Sequence, residues 1–171
     1  MESVEKGGTK DSKTNILALG KKTHQDKTYK LSNSILKYYT NNFGFNSEAQ
    51  YFIADNYLNL NKQDSAIIVL NNLIVQDSTY AEAYNKLGEI YGRYKNNLQA
   101  SEYYLIRGYE IAPSNASICE NLGVLNGIRG NLKQSIFFFE KAVKNSDKPS
   151  KQLLQNLANT YKQLENNTKV D

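Results

Sequence analysis

Five small residues recur along this chain at almost equal intervals: Gly20, Ala54, Gly88, Gly123 and Ala158, separated by 34, 34, 35 and 35 residues. Each follows an aliphatic residue (Leu19, Ile53, Leu87, Leu122, Leu157), and Tyr57, Tyr91 and Tyr161 stand three places after the second, third and fifth. Self-similarity at this period limits the chain to architectures built from one stacked unit. A pair of helices cannot bury its apolar face alone, so units of this length close a core only against their neighbours.

The clearest unit is AEAYNKLGEIYGRYKNNLQASEYYLIRGYEIAP, residues 81–113. Tyr84, Leu87, Gly88 and Tyr91 share one face of a 3.6-residue helix. A polar break follows at Lys95, Asn96 and Asn97, then a second helix with Ala100, Ser101, Tyr104, Leu105 and Gly108 inward. Pro113 ends it, because its ring and missing N–H cannot extend the ladder. The same second-helix positions read Ser32, Leu36 and Tyr39, then Ala66, Leu70 and Leu73, then Ser135, Phe139 and Ala142.

This order resembles the tetratricopeptide repeat: an aromatic, Leu-Gly and Tyr on the first helix, then small, large, small and Pro on the second. The match over 81–113 needs one extra residue in the Lys95–Asn97 turn. The resemblance spans about residues 14–165. It implies an all-α fold, a right-handed α-solenoid of antiparallel helix pairs with a C-terminal capping helix. The units expected are about 14–46, 47–80, 81–115 and 116–150, with the cap at 151–165, all in a single domain. Residues 1–13 read as a disordered basic tail and 166–171 as a frayed end.

Within that frame, Ser47 and Gln50 form a capping-box pattern, and Asp64 or Ser65 can cap the following helix. The run AIIVLNNLIV, residues 66–75, is β-branched enough for a strand, but its length and place in the repeat favour a buried helix. Phe137, Phe138 and Phe139 cannot share one face, and Phe139 holds the core position. The last helix is expected to turn Leu154, Leu157, Ala158 and Tyr161 inward and Gln152, Gln155, Asn156, Asn159, Lys162 and Gln163 outward.

Charge is uneven. Residues 1–40 hold eight Lys against four acids, whereas the other 131 residues hold thirteen basic and thirteen acidic side chains. No apolar run reaches the roughly 18 residues of a membrane span, and the first thirteen residues lack a signal-peptide apolar core. A cytoplasmic location with no membrane insertion is the default expectation.

Catalytic chemistry finds little to work with. One His, His24, and one Cys, Cys119, leave no His-based triad, thiolate cluster or CxxC motif. His24 reads as a solvated helix-end residue and Cys119 as a buried small hydrophobe. No Gly-rich loop after a strand offers a phosphate cradle. The reading is a non-enzyme with no catalytic residue, metal or cofactor.

Binding is what remains. The resemblance implies a groove lined by first helices, one turn away from their packing face. By position, the groove residues are Glu48, Tyr51 and Asp55; then Glu82, Asn85, Glu89 and Arg93; then Ser117, Glu120, Val124 and Ile128; then Gln152, Gln155 and Asn159. Family members that grip the C-terminal carboxylate of chaperones use Lys and Asn where this chain has Tyr51 and Asp55. Like charge would oppose such a ligand. The expected partner is therefore a neutral or basic protein segment, with Tyr51, Val124 and Ile128 as apolar contacts. An accessory helical domain of a larger or membrane-attached assembly is the alternative. An RNA-reading solenoid ranks third, because it needs a basic inner surface to meet phosphates. The partner, the pathway and the oligomeric state do not follow from the sequence.

Overall fold

A computed structural model describes the backbone of residues 4–168 and the side chains from residue 11 to 168. Nine helices and no strand occupy the described residues: α1 (Val4–Gln25), α2 (Tyr29–Phe43), α3 (Ser47–Asn59), α4 (Gln63–Gln76), α5 (Ala81–Arg93), α6 (Leu98–Ile111), α7 (Ala116–Ile128), α8 (Leu132–Lys144) and α9 (Lys151–Thr168). They gather into two compact units that divide after Ser78, α1–α4 and α5–α9, where the sequence reading takes a single domain. Helix α1 begins at Val4, inside the stretch read as a disordered tail. Gly7 and Gly8 each cost about 1 kcal/mol against Ala in a helix. Neither forbids helical angles, and no proline interrupts propagation from the packed turns around Ile16 and Leu17. Residues 169–171, part of the stretch read as a frayed end, lie outside the described residues.

In the first unit, Leu36 and Tyr39 of α2 pack with Ala49 and Ile53 of α3, flanked by Ile16, Leu17, Phe52, Tyr57 and Val69. In the second, Leu105 of α6 packs with Ile118, Leu122 and Leu125 of α7 and Phe138 of α8. Next to it, Cys119, Phe139 and Ala142 pack with Leu153 of α9. Phe137 stays 48% exposed while Phe138 and Phe139 are buried, so the aromatic triplet splits two inward and one outward. The β-branched run at 66–75 is helical within α4.

Each helix pair closes at its small residue. A Cβ on Gly88 would lie 2.5 Å from Leu105 Cγ, and one on Gly123 would lie 2.5 Å from Phe139 Cδ1; Gly20 meets Leu36 in the same way. A serine on the second helix secures the approach. Ser32, Ser101 and Ser135 each donate a hydroxyl hydrogen bond to the carbonyl of Gly20, Gly88 and Gly123, at 2.8, 2.8 and 2.7 Å. The α3/α4 pair has Ala54 and Ala66 at these places, both fully buried, and closes without that bond.

The turns inside the pairs repeat too. Three residues join α1 to α2, α3 to α4 and α7 to α8, while four residues, Tyr94 to Asn97, join α5 to α6. That is the extra residue the repeat register requires. In all four turns the residue two places before the second helix has positive φ: Lys27 at 59°, Asn61 at 57°, Asn96 at 48° and Gly130 at 78°. Asn and Gly tolerate this left-handed conformation, whereas Lys is strained there.

Two capping expectations are corrected. Asn46, not Ser47, caps α3, its side chain accepting from Ala49 N at 2.8 Å. Ser47 lies one place inside the helix and donates instead to Asp77 Oδ2 at 2.6 Å. The residue before α4 is Lys62, which makes no side-chain cap bond; Asp64 and Ser65 fall inside the helix. Asn97 and Asn115 cap α6 and α7.

The last helix also departs from expectation. Leu153 and Thr160 are buried and Leu157 and Leu164 half-buried, while Leu154 and Tyr161 are 47% and 45% exposed. With a repeat of 35 residues, Leu153 matches Ile118, which packs on the preceding second helix. Leu154 matches Cys119, which faces the helix that follows. Helix α9 uses only the first of these two faces.

The Gly123→Ala substitution is expected to destabilise the protein by about 1–3 kcal/mol, as overpacking against a Phe139 ring that cannot shorten outweighs the gain in helix propensity. Lys27→Gly is expected to stabilise it by about 1 kcal/mol through relief of the left-handed strain. Urea unfolding followed by circular dichroism checks both.

Candidate interaction surface

In the first unit, the sequence-derived positions Glu48, Tyr51 and Asp55 lie along α3, and α1 reaches across to them. Lys21 Nζ sits 2.6 Å from Glu48 Oε1. His24 Nε2 lies 3.5 Å from Asp55 Oδ2, with both side chains under one-fifth exposed. His24 is therefore no solvated helix end. Its Nδ1 is 2.7 Å from Asn56 Oδ1, and its ring meets Phe52 edge-on with centroids 4.9 Å apart. Tyr51 is half-buried beside Phe52.

Behind this face lies a polar knot. Asn56 is fully buried. Its Nδ2 donates to Ser32 Oγ at 2.8 Å and Asn33 Oδ1 at 3.0 Å, and Ser32 passes its own proton to Gly20 O. With both amide hydrogens used, Asn56 Oδ1 is an acceptor, so His24 Nδ1 carries the proton between them. Three helices are tied by these bonds. Every member is satisfied, which is the condition for a buried polar network to hold its place.

In the second unit, the positions lie on α5 and α7. Glu82 is exposed. Asn85 Oδ1 accepts from Asn121 Nδ2 at 2.9 Å, a bridge from α5 to α7. Glu89 is held between Lys86 at 3.5 Å and Arg93 at 3.4 Å. Glu120 and Val124 are half-buried, and Ile128 is 63% exposed.

Next to the Asn85–Asn121 bridge, a cleft of about 70 Å³ opens between α5 and α7. Gly88 and Gly92 leave part of its α5 wall without side chains; Leu98 and Leu105 form its floor; Val124 and Ile128 form the far wall. Glu89, Arg93, Ser101 and Asn121 supply the polar groups of its lining. The volume is roughly half that of an apolar cavity able to hold benzene, the scale of a single branched aliphatic side chain. A second, more polar cleft of about 180 Å³ lies between α7 and α9, where Val124 and Gly127 meet Asn156, Asn159 and Gln163.

Four of the sequence-derived positions, Glu89, Arg93, Val124 and Ile128, thus come together around one cleft, and Asn159 lines the next. Glu82 and Glu120 line neither, and Gln152 and Gln155 bond to Asn156 and Asn159 along their own helix. Residues missed by sequence reasoning are Gly92, Leu98 and Asn121 in the cleft, and Lys21 and His24 as partners of the α3 acids. The signal for Gly92 was present in its four-residue spacing from Gly88, which removes two side chains from one helix face.

Other chemistry is sparse. Among the described residues no group of three His, Cys, Asp or Glu side chains could hold a metal ion. Burial pushes the Cys119 thiol up from its ordinary pKa, only partly offset by Lys141, which works against thiolate reactivity. No described helix is long and apolar enough to cross a membrane.

Antiparallel helix pairs at a 34–35-residue period, closed at a small residue, define the tetratricopeptide-repeat fold, and solved structures place this chain in it. TTC0263, a thermophilic TPR protein of Thermus thermophilus, superposes with a TM-score of 0.73 at 20% identity, over 89% of this chain and 82% of its own. PilF of Pseudomonas aeruginosa gives 0.80 at 17% identity, over 92% and 72%. A chain of the APC/C hetero-tetramer Cut9–Hcn1 gives 0.79 at 17% identity, over 89% of this chain and 30% of that one. No protein-family model matches the sequence, and no curated protein matches it. The protein is an all-α helical-repeat solenoid.

Asn56→Ala is expected to cost about 1–3 kcal/mol, since it strips hydrogen bonds from Ser32, Asn33 and His24 in a buried setting. Chemical denaturation measures it, and the double variant with Asn33→Ala should lose less than the sum, because the two act in one network.

Proposed function

We propose that this protein is a non-catalytic protein-interaction scaffold, and that the face between α5 and α7 holds an extended segment of a partner by one branched aliphatic side chain. The observation that carries this reading is the apolar cleft walled by Gly88, Gly92, Val124 and Ile128, next to an Ile128 that spends 63% of its surface on water. The fold supports it: helical repeats offer extended surfaces for partners, and one structural neighbour is a chain of a hetero-tetramer.

The surface chemistry refines the partner. Glu48 faces Lys21, and Glu89 faces Lys86 and Arg93, so these two acids add little net field, and Asp55 lies half-shielded against the His24 ring. Glu82 and Glu120 make no salt bridge among the described residues, and a carboxylate tail laid beside them meets like charge. The segment favoured is neutral or weakly basic, with Leu, Ile or Val at its anchor.

A random peptide library selected against the wild-type chain and against Ile128→Arg tests this. Peptides enriched on the wild type should share one aliphatic position. Their affinity should fall about ten- to a hundredfold on the variant, the worth of about 1.5–3 kcal/mol for one buried aliphatic side chain. Enriched peptides with no aliphatic position, or with equal affinity for both proteins, would overturn the reading.

A further inference from the structure

The outward side of the second helices carries a large apolar residue that stays open to water. Two places after the small residues Ala66, Ser101 and Ser135 stand Ile68, Tyr103 and Phe137, exposed to 63%, 60% and 48%. Tyr103 has another helix pair after it in the same unit and is still open, so the exposure belongs to the repeat position and not to the end of the stack. Single apolar residues on a surface are ordinary; a large one at the same phase in three helix pairs is a pattern.

At Phe137 this residue is joined by unmatched charge. On α6 the charges near Tyr103 are paired, Glu102 with Arg129 and Arg107 with Glu110. On α8, Lys133, Phe137, Glu140, Lys141 and Lys144 follow at spacings of 4, 3, 1 and 3, which puts them on one side of the helix. Lys141 donates to the Tyr109 hydroxyl and lies 5.9 Å from the centre of the Phe137 ring. Glu140 accepts from the Tyr161 hydroxyl at 2.6 Å. Lys133 and Lys144 are exposed and have no ion pair or hydrogen bond among the described residues. They stand about 6 Å before and about 10 Å after Phe137 along the axis.

Phe137 is held from behind. Its ring meets Phe138 edge-on with centroids 5.2 Å apart, and the buried Phe138 meets Tyr109 edge-on at 5.5 Å. An anchor fixed in this way loses little freedom when a partner covers it. Beside it lies an open cleft of about 330 Å³ lined by Phe137, Glu140, Lys141, Lys144 and Asn145, larger than the roughly 150 Å³ that hold benzene. The order along the face is cation, ring, anion, cation. A nucleic-acid backbone or a lipid surface lays uniform negative charge over Glu140, whereas a peptide can set acids opposite the two lysines and an apolar side chain over the ring.

We propose that the outer face of α8 is a docking surface for an acidic protein segment, which covers Phe137 with one aromatic or aliphatic side chain and pairs carboxylates with Lys133 and Lys144. In an extended segment, at about 3.3 Å per residue, the acids fall about two residues to one side of the apolar residue and about three to the other. This surface shares no lining residue with the α5–α7 cleft and does not depend on what that cleft binds.

Selection of a random peptide library on the full chain tests the proposal, with the helicity of each variant checked by circular dichroism. One class of enriched peptides should carry an apolar residue flanked by acids at those distances, and Ile128→Arg should retain that class. Phe137→Ser should weaken it about tenfold or more, and added salt should weaken it further. The double variant Lys133→Glu, Lys144→Glu changes only exposed side chains; it should lose this class and enrich peptides with Lys or Arg at the acid positions. No acidic class on the wild type, or one indifferent to Phe137→Ser or to the double reversal, would overturn the proposal. Phosphatidylserine vesicles and single-stranded oligouridine are the competing probes. Binding of either one as tight as that of the peptides, and lost in the same variants, would also overturn it and give the face to a polyanion.

Discussion

Everything in this protein that repeats depends on one close contact, the meeting of a large side chain on a second helix with a residue on the first that has almost no side chain of its own. Leu36 lies on Gly20, Leu105 on Gly88 and Phe139 on Gly123. At this distance the helix backbones are near enough for a serine hydroxyl to reach across to the glycine carbonyl, which it does in the same three pairs. The large side chain excludes water and gives most of the gain; the hydroxyl bond is worth about 1 kcal/mol net but admits only one register. Ala54 and Ala66 show how far the arrangement stretches: a methyl group is accommodated, and the hydroxyl bond is given up.

The two units solve the next problem, holding pair to pair, by different means. In α5–α9 the buried contacts are apolar, Ile118 and Leu125 of α7 against Leu105 and Leu153 of α9 against Phe139, with the Asn85–Asn121 bridge at their edge. In α1–α4 the corresponding place on α3 is Asn56, which joins three helices through Ser32, Asn33 and His24. An apolar contact tolerates sliding, whereas a carboxamide with every hydrogen bond assigned does not. The first unit thus accepts the desolvation of a buried amide in return for a fixed arrangement of α1, α2 and α3.

Helix pairs, their order and the odd turn at Tyr94 to Asn97 were legible in the sequence because the small-residue period is strict, and close packing allows no other phase. What escaped was set by neighbours that periodicity does not report. Ser47 has a good capping sequence, yet Asn46 takes the cap and Ser47 turns to Asp77, thirty residues on. His24 looks polar and isolated until α3 brings Asp55 and Asn56 to its two nitrogens. Glu48 and Asp55 lie on α3, but the approach of Lys21 and His24 to them was not foreseen, because the repeat period does not say which polar side chains of α1 reach α3. On α9 the face expected inward is exposed at Leu154, Ala158 and Tyr161, and Leu153 and Thr160 are buried instead, since phase says what a helix can bury and not on which side its neighbour lies.

The left-handed residue in each turn has a consequence for how such a chain can change in length. It stands at a fixed distance before the second helix in all four pairs, at Lys27, Asn61, Asn96 and Gly130, whether the turn has three residues or four. The additional residue of the third pair is taken up ahead of that point, and Ser101 and Leu105 still find Gly88. Each turn therefore resets the phase, so an insertion alters one connection and leaves no offset for the helices downstream to inherit. A stack made this way can drift in length without losing its alignment.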